Sequence, residues 1–344
     1  ASDVYKRQIL QSASTRTAPA YSMRYWAKGS RVAVRGANSG LTEFQDFAVY
    51  NLGTNPDVIR ATVDPGTLPA GWSCAITDGV SDYSGYVDLP LQPGEGRIFR
   101  LKVDVGGSGY ALPKVVLTSD NLPGKTRDIP YGVLTDDLEV LLVDDDGAES
   151  YEALRAAALE SAGATYGIWP RSFAEVAGAD LLNFPIVDWN TALSYPTLDA
   201  GDRDALSAYL DGGGRLLLSG QEIGWELDDT GGSALDWYHD YLHADFISDD
   251  SNQNVVNGIP GDPISDGLSL SLTASLNPYP DVIAPFDGAA TPIFNYGTGT
   301  QRAGLKVDTG TYKVVYLGFG VEAITTQESR DLLTQRAINW LRQG

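Results

Sequence analysis

Residues Glu139 to Tyr151 read EVLLVDDDGAESY, an apolar run that ends in three consecutive aspartates, Asp144, Asp145 and Asp146. Carboxylates gathered at one point repel one another, and protons or a cation relieve that repulsion. Hard oxygen donors of this kind suit Ca2+ or Mg2+, so the triplet is the candidate metal position. The plainer reading is structural: one aspartate caps the next helix and the others are solvated. Further along stand Asp188, Ser219, Gln221, Glu222, His239 and His243. Ser219 as nucleophile, His243 or His239 as base and Asp188 or Asp240 as orienter would make a hydrolytic triad, whose geometry is independent of chain order. Against this, Ser219 lacks the G-x-S-x-G elbow, and histidines four apart on a helix more often pack or cap. Asp144, Asp145, Asp146, Asp188, Gln221 and Glu222 are the expected pocket residues. No G-x-G-x-x-G or P-loop occurs, so nucleotide binding has no support, and no cofactor is expected beyond Ca2+ or Mg2+.

Elements of alternating type must position these groups. EVLLV is a continuous apolar run, as a strand buried on both faces requires. Tyr151, Leu154, Ala158 and Ala162 come next at helical spacing, and Gly163 stops the helix. TYGIW, FPIVDW and RLLLS read as further strands, Asp202 to Leu210 and Gln327 to Arg342 as helices. The alternation predicts an α/β three-layer sandwich with a mainly parallel sheet over residues 136–344. Ligands of such sheets sit beyond the carboxyl ends of the strands, where the triplet falls. Residues from about 245 to 290, rich in Gly, Pro, Asn and Asp, read as an irregular excursion. Over residues 31–135 the pattern is different: short Val-, Ile- and Tyr-rich segments separated by NPD, DPG, QPGEG and NLPGK turns predict an all-β sandwich. Residues 1–30 read as an irregular tail of a lost upstream region. Within it, DVYKRQ (Asp3–Gln8) resembles a translated sequencing adapter, which places the natural start near Ile9.

Composition narrows the partners. With 24 Lys+Arg against 45 Asp+Glu, the net charge of −21 repels nucleic acid and anionic membranes. No apolar run reaches the roughly 18 residues that span a bilayer. Cys74 is the single cysteine, so neither an intrachain disulfide nor a cysteine zinc site can form.

Two resemblances add to this reading. LPAGW (Leu68–Trp72), LPLQPGE (Leu89–Glu95) and VVLTSDNLPG (Val115–Gly124) resemble an immunoglobulin-like module of secreted bacterial proteins, which implies a spacer with Trp72 as a core plug. YLDGGGRLLLSGQEIGW (Tyr209–Trp225), with VDDDG, DYLHADF and VYLGFGVEAI, resembles the class I glutamine amidotransferase-like superfamily of flavodoxin-like folds. More closely it resembles a non-catalytic branch found in large secreted bacterial proteins, some of them peptidases. Catalytic members carry a cysteine at the turn after the strand that here is RLLLS. This chain has Ser219-Gly220-Gln221-Glu222 there, so that chemistry is not carried over. The resemblance implies a non-enzymatic accessory or interaction module of a larger extracellular or surface-bound bacterial protein, a pseudoenzyme that is peptidase-associated in part of the branch. Its partners would be other domains of the same polypeptide, or protein or glycan ligands. The alternatives are a hydrolase using Ser219 and a carbohydrate-binding unit built on aromatics such as Trp237, Tyr238 and Tyr241.

Overall fold

The structure, a computed structural model, describes residues 19–44, 46–147 and 149–343. The DVYKRQ segment and residues 1–18 of the expected tail lie outside the described residues.

The first half is built from short strands: β1 (Met23–Ala27), β2 (Val32–Arg35), β3 (Gly40–Glu43), β4 (Phe47–Asn51), β5 (Asp57–Asp64), β6 (Ser73–Thr77), β7 (Asp82–Tyr83), β8 (Tyr86–Leu91), β9 (Gly96–Val105), β10 (Tyr110–Ala111), β11 (Lys114–Ser119), β12 (Thr126–Pro130) and β13 (Gly132–Thr135). In β5, Ile59, Ala61 and Val63 face inward while Arg60 faces out, the period of two that a half-buried strand requires. One sheet has the order β12-β11-β5-β8, and the other β1-β4-β9-β6-β7 with β3 also on β9. Their inner faces close on Phe47, Ile59, Leu101, Val115 and Ile129, a β-sandwich core. Trp72 is a plug in it, its indole Nε1 donating to the Gly107 carbonyl at 3.0 Å. The preceding Gly71 has φ +86°, and a Cβ there would stand 3.1 Å from the Gly106 carbonyl oxygen, so the LPAGW turn needs its glycine. Cys74 is buried in the same core, and burial pushes its thiol up to about 12. A maleimide should leave the native protein unlabelled at neutral pH and label one site after denaturation; rapid native labelling would contradict this placement.

Strand β13 joins the two halves. It pairs in parallel with β2, and Leu134 and Val32 enter the core of the second half. That half contains β14 (Val140–Asp144), α1 (Glu152–Ser161), β15 (Tyr166–Pro170), α2 (Gly178–Leu181), β16 (Ile186–Ala192), α3 (Ala200–Asp211), β17 (Arg215–Gly220), α4 (Ile223–Thr230), α5 (Ser233–Leu242), β18 (Ala244–Ser248), β19 (Val255–Gly258), β20 (Ser269–Ser271), β21 (Val282–Pro285), β22 (Ala290–Tyr296), β23 (Arg302–Asp308), β24 (Lys313–Leu317) and α6 (Gln327–Leu341). Its 11-stranded sheet runs β15-β14-β16-β17-β24-β23-β22-β19-β20, with β21 and β18 branching from β23.

The expected mainly parallel three-layer sandwich is corrected by this sheet. The parallel pairings are β14 with β15, β14 with β16, β16 with β17, and β17 with β24. Six others are antiparallel: β18 with β21, β19 with β20, β19 with β22, β21 with β23, β22 with β23, and β23 with β24. With the antiparallel sandwich in front, the chain as a whole is rich in antiparallel strands. The physical reason lies in the stretch read as irregular. Its glycines and prolines separate short strands such as VVNG and SLS, and bulges break the register of β22 on β23. Helices flank the parallel strands on both faces, with α3 and α5 over Leu141, Val187 and Leu216, and α1 and α6 over Leu142, Ile186 and Val315.

Candidate functional site

The carboxyl ends of β14 and β15 open into a cleft of about 570 Å3. Eight acids line it, Asp144, Asp145, Asp146, Glu149, Glu152, Glu175, Asp199 and Asp202, with Arg171 the one basic residue among the described lining. The triplet stands at a strand end, where the sequence pattern puts it, but the other five acids and Arg171 were missed. One signal was available: Asp199 and Asp202 form a reciprocal capping box at the start of α3, each side chain accepting the other's amide at 3.0 Å.

The three aspartates do different jobs. Asp146 accepts the amide of Tyr151, just ahead of α1, at 3.2 Å. Asp145 accepts the indole N–H of Trp189 at 3.1 Å. Burial first, and then the charge of Asp202, raises its carboxyl to about 7. Asp144 keeps one buried oxygen, Oδ1, without a hydrogen-bond partner among the described residues. Burial, followed by Asp146 and Glu152, raises it to about 8. The charges are thus crowded where solvent cannot screen them, and protons or a cation relieve them.

Arg171 divides the cleft. Its Nε donates to Asp202 at 2.7 Å and its Nη2 to Asp199 at 3.0 Å, and it also pairs with Glu175. That acidic trio therefore has an internal cation. The other trio, Asp144, Asp146 and Glu152, has its carboxylate oxygens within 4.8 Å of one another and no basic side chain hydrogen-bonded to it among the described residues.

The remaining expected pocket residues do not join this cleft. Asp188 is fully buried on β16 and accepts from Nη2 of Arg155. Gln221 takes the amide of Tyr279 at 3.1 Å. Glu222 stands at φ 68° before α4, its carboxyl raised to about 7 by burial and by Asp249 and Glu226. Its helix is capped from a distance: Asp281 Oδ2 accepts the amide of Gly224 at 2.7 Å.

The hydrolase candidates are separated. Ser219 is fully buried in β17 and its hydroxyl donates to Asn190 Oδ1 at 3.3 Å, its neighbour across the strand register. His243 sits just past α5 at φ 47°, so it does not share a helical face with His239. Its Nδ1 meets Asp287 at 2.8 Å and its Nε2 meets Tyr312 at 2.9 Å. His239 stacks on Phe286 at 3.9 Å and lies 3.6 Å from Asp245. Both histidines pack and cap, and neither ring faces Ser219 through a hydrogen bond. Replacing Ser219 by alanine is expected to change the unfolding free energy by at most about 1.5 kcal/mol, the loss of one weak buried hydrogen bond. A urea titration reads it, and a loss of any hydrolytic activity on substitution would overturn this placement. The aromatic stretch is core as well: Tyr238 is fully buried and Trp237 stacks on Tyr241 at 5.8 Å.

No family model matches the chain. No curated protein matches it either. The amidotransferase-like assignment is therefore withdrawn, since the mainly parallel sheet it implied is not what forms and no family supports it. Among solved structures, the mmIFT52 N-terminal domain is 15% identical, covers 60% of this chain and 98% of its own, and has a TM-score of 0.43. The exo-beta-1,4-mannosidase Op5Man5 from Opitutaceae bacterium strain TAV5 is 14% identical over 60% of this chain and 35% of its own, at 0.39. A CARDB domain from Pyrococcus furiosus, solved in complex with di-metal ions, is 19% identical over 35% of this chain and 97% of its own, at 0.25. Likenesses this distant assign neither family nor function.

Proposed function

We propose that the chain is a non-enzymatic interaction module of a larger secreted or cell-surface bacterial protein, and that the acidic cleft is its recognition face. One observation carries the reading: eight carboxylates and a single arginine line one open cleft, while Ser219, His239 and His243 are tied into packing elsewhere. A cleft of that charge attracts a cationic segment, from another domain of the same polypeptide or from a separate protein. No helix among the described residues is long and apolar enough to cross a membrane.

The rim residues Glu149 and Glu175 are exposed and can be reversed without touching the core. A lysine- and arginine-rich peptide should bind the full chain, and Glu149→Lys with Glu175→Lys should weaken it by about tenfold or more, or ~1.4 kcal/mol. Reversing two exposed acids outside the cleft, Asp120 and Asp229, controls for net charge. Equal weakening by both double variants, read by calorimetry in chelator, would reduce the binding to the general field of an acidic protein and defeat the proposal.

A further inference from the structure

We infer that Tyr195 and Trp225, flanked by Glu222 and Glu226, form an aromatic shelf at the edge of the acidic cleft that receives an arginine side chain of the cationic partner. The inference rests on the recognition reading above and adds the residue that the partner presents. Tyr195 lies between Ser194 and Pro196, both of which line the cleft. Its side chain is 68% exposed, and the ring of Trp225 on α4 stands 5.9 Å away at 44°. Trp225 is itself only half-buried, so both π-systems reach the surface. The two elements that carry them are tied together. Glu226 Oε2 accepts the amide of Thr197 at 2.5 Å, which fixes the loop of Tyr195 against the helix of Trp225. A surface assembled before its partner arrives loses little freedom on binding.

Charge decides what the shelf takes. The amide of Glu226 bonds the carbonyl of Glu222 at 2.9 Å, so the two acids stand one helical turn apart, and Trp225 shares their side of α4. Neither carboxylate pairs with a basic side chain among the described residues, and the adjoining cleft carries eight acids against one arginine. An anionic partner is repelled there, and a neutral one leaves the carboxylates unused. A cation over an aromatic face is attracted by the ring quadrupole, most strongly over tryptophan. Arginine suits such a place better than lysine. Its planar, weakly hydrated guanidinium stacks on rings while its N–H groups reach a carboxylate, whereas an ammonium holds its water. The sandwich shows the complete arrangement: the guanidinium of Arg60 lies over the exposed ring of Tyr86 at 4.2 Å and donates to both oxygens of Asp88 at 2.7 and 2.9 Å. At Tyr195, Trp225 and Glu226 the rings and the acid are present, and the arginine is what the partner brings.

Two peptides of equal length and charge test the shelf, one with lysine at every basic position and one with arginine. Each is titrated into the full chain by calorimetry in chelator. The arginine peptide should bind the parent about fivefold more tightly than the lysine peptide. Tyr195→Ala and Trp225→Leu should each remove most of that preference and leave the affinity for the lysine peptide within about twofold of the parent. Tyr195 is mostly exposed, so its variant decides the matter even where Trp225→Leu melts below the parent. Glu149→Lys with Glu175→Lys should weaken both peptides and keep the preference. Equal affinities of the two peptides for the parent, or a preference intact in Tyr195→Ala, would overturn the shelf and leave the charge-based reading standing. Failure of both peptides to bind would overturn the shelf together with that reading.

Discussion

Replacing Asp188 with alanine is expected to lower the unfolding free energy of the second half by about 3–5 kcal/mol, the cost of stripping one partner from a buried ion pair. Asp188 projects from β16 and Arg155 from α1, and both side chains are fully removed from solvent. Burial raises the carboxyl of Asp188, and the guanidinium opposes that shift. With the carboxylate gone, the guanidinium would be left as a charge in a medium that solvates it poorly. Asp188→Asn should cost less, because an acceptor for Nη2 remains. Arg155→Met with Asp188→Leu should recover most of the loss, since a packed apolar pair of similar volume removes both desolvation penalties. Denaturant unfolding followed by the emission of Trp169 and Trp189, both buried beside the parallel strands, measures all three. A cost below about 1 kcal/mol for Asp188→Ala would mean that Arg155 finds another buried acceptor, and the pair would lose its assigned weight.

The second large effect concerns pH. Asp281 is fully buried, and burial holds its carboxyl at about 8 against the amides of Gly224 and Trp225, which favour the charged form. Its Oδ1 has no partner among the described residues, which is why desolvation prevails. The folded state therefore keeps a proton that the unfolded chain releases near the ordinary value of 3.8. Stability from this group is fully present below that value and is lost as pH rises through about 8. The limiting slope is about 1.4 kcal/mol per pH unit for each such group. Asp144, raised to about 8, acts in the same direction when no cation is bound. Urea midpoints in chelator should therefore fall steadily from about pH 5 to about pH 8. Asp281→Asn keeps the acceptor for Gly224 and removes the charge, so it should flatten the profile and be more stable than the parent at the alkaline end. A parent profile that rises over this interval would refute the assignment.

How much of this was legible in the residues depends on how local the cause is. EVLLVDDDG announces a buried strand with acids at its end, because both facts sit in nine consecutive residues. The sandwich is legible for the same reason, since alternation in DVIRATVD and the LPAGW turn are local signals. Of the antiparallel half of the large sheet, β18 to β21 were hidden because they are three to five residues long and set among glycines and prolines, and β22 meets β23 in a bulged register. Arg155 and Asp188 are 33 residues apart, and neither position carries a sign that it is buried. His243 looked helical by spacing, yet the helix ends one residue earlier and the ring turns to Asp287 and Tyr312.

The position of β24 bears on how the chain is made. It lies between β17, its parallel neighbour, and β23, its antiparallel one, and no other described strand joins those two halves of the sheet. A polypeptide emerging from the ribosome presents β14 to β17 and later β18 to β23 as two part-sheets, each with an open edge where β24 belongs. Until residues 313–317 arrive, those edges are exposed to other nascent chains. Completion of this domain during synthesis thus waits on a single late strand, and chains stalled before it are the ones a chaperone would need to hold.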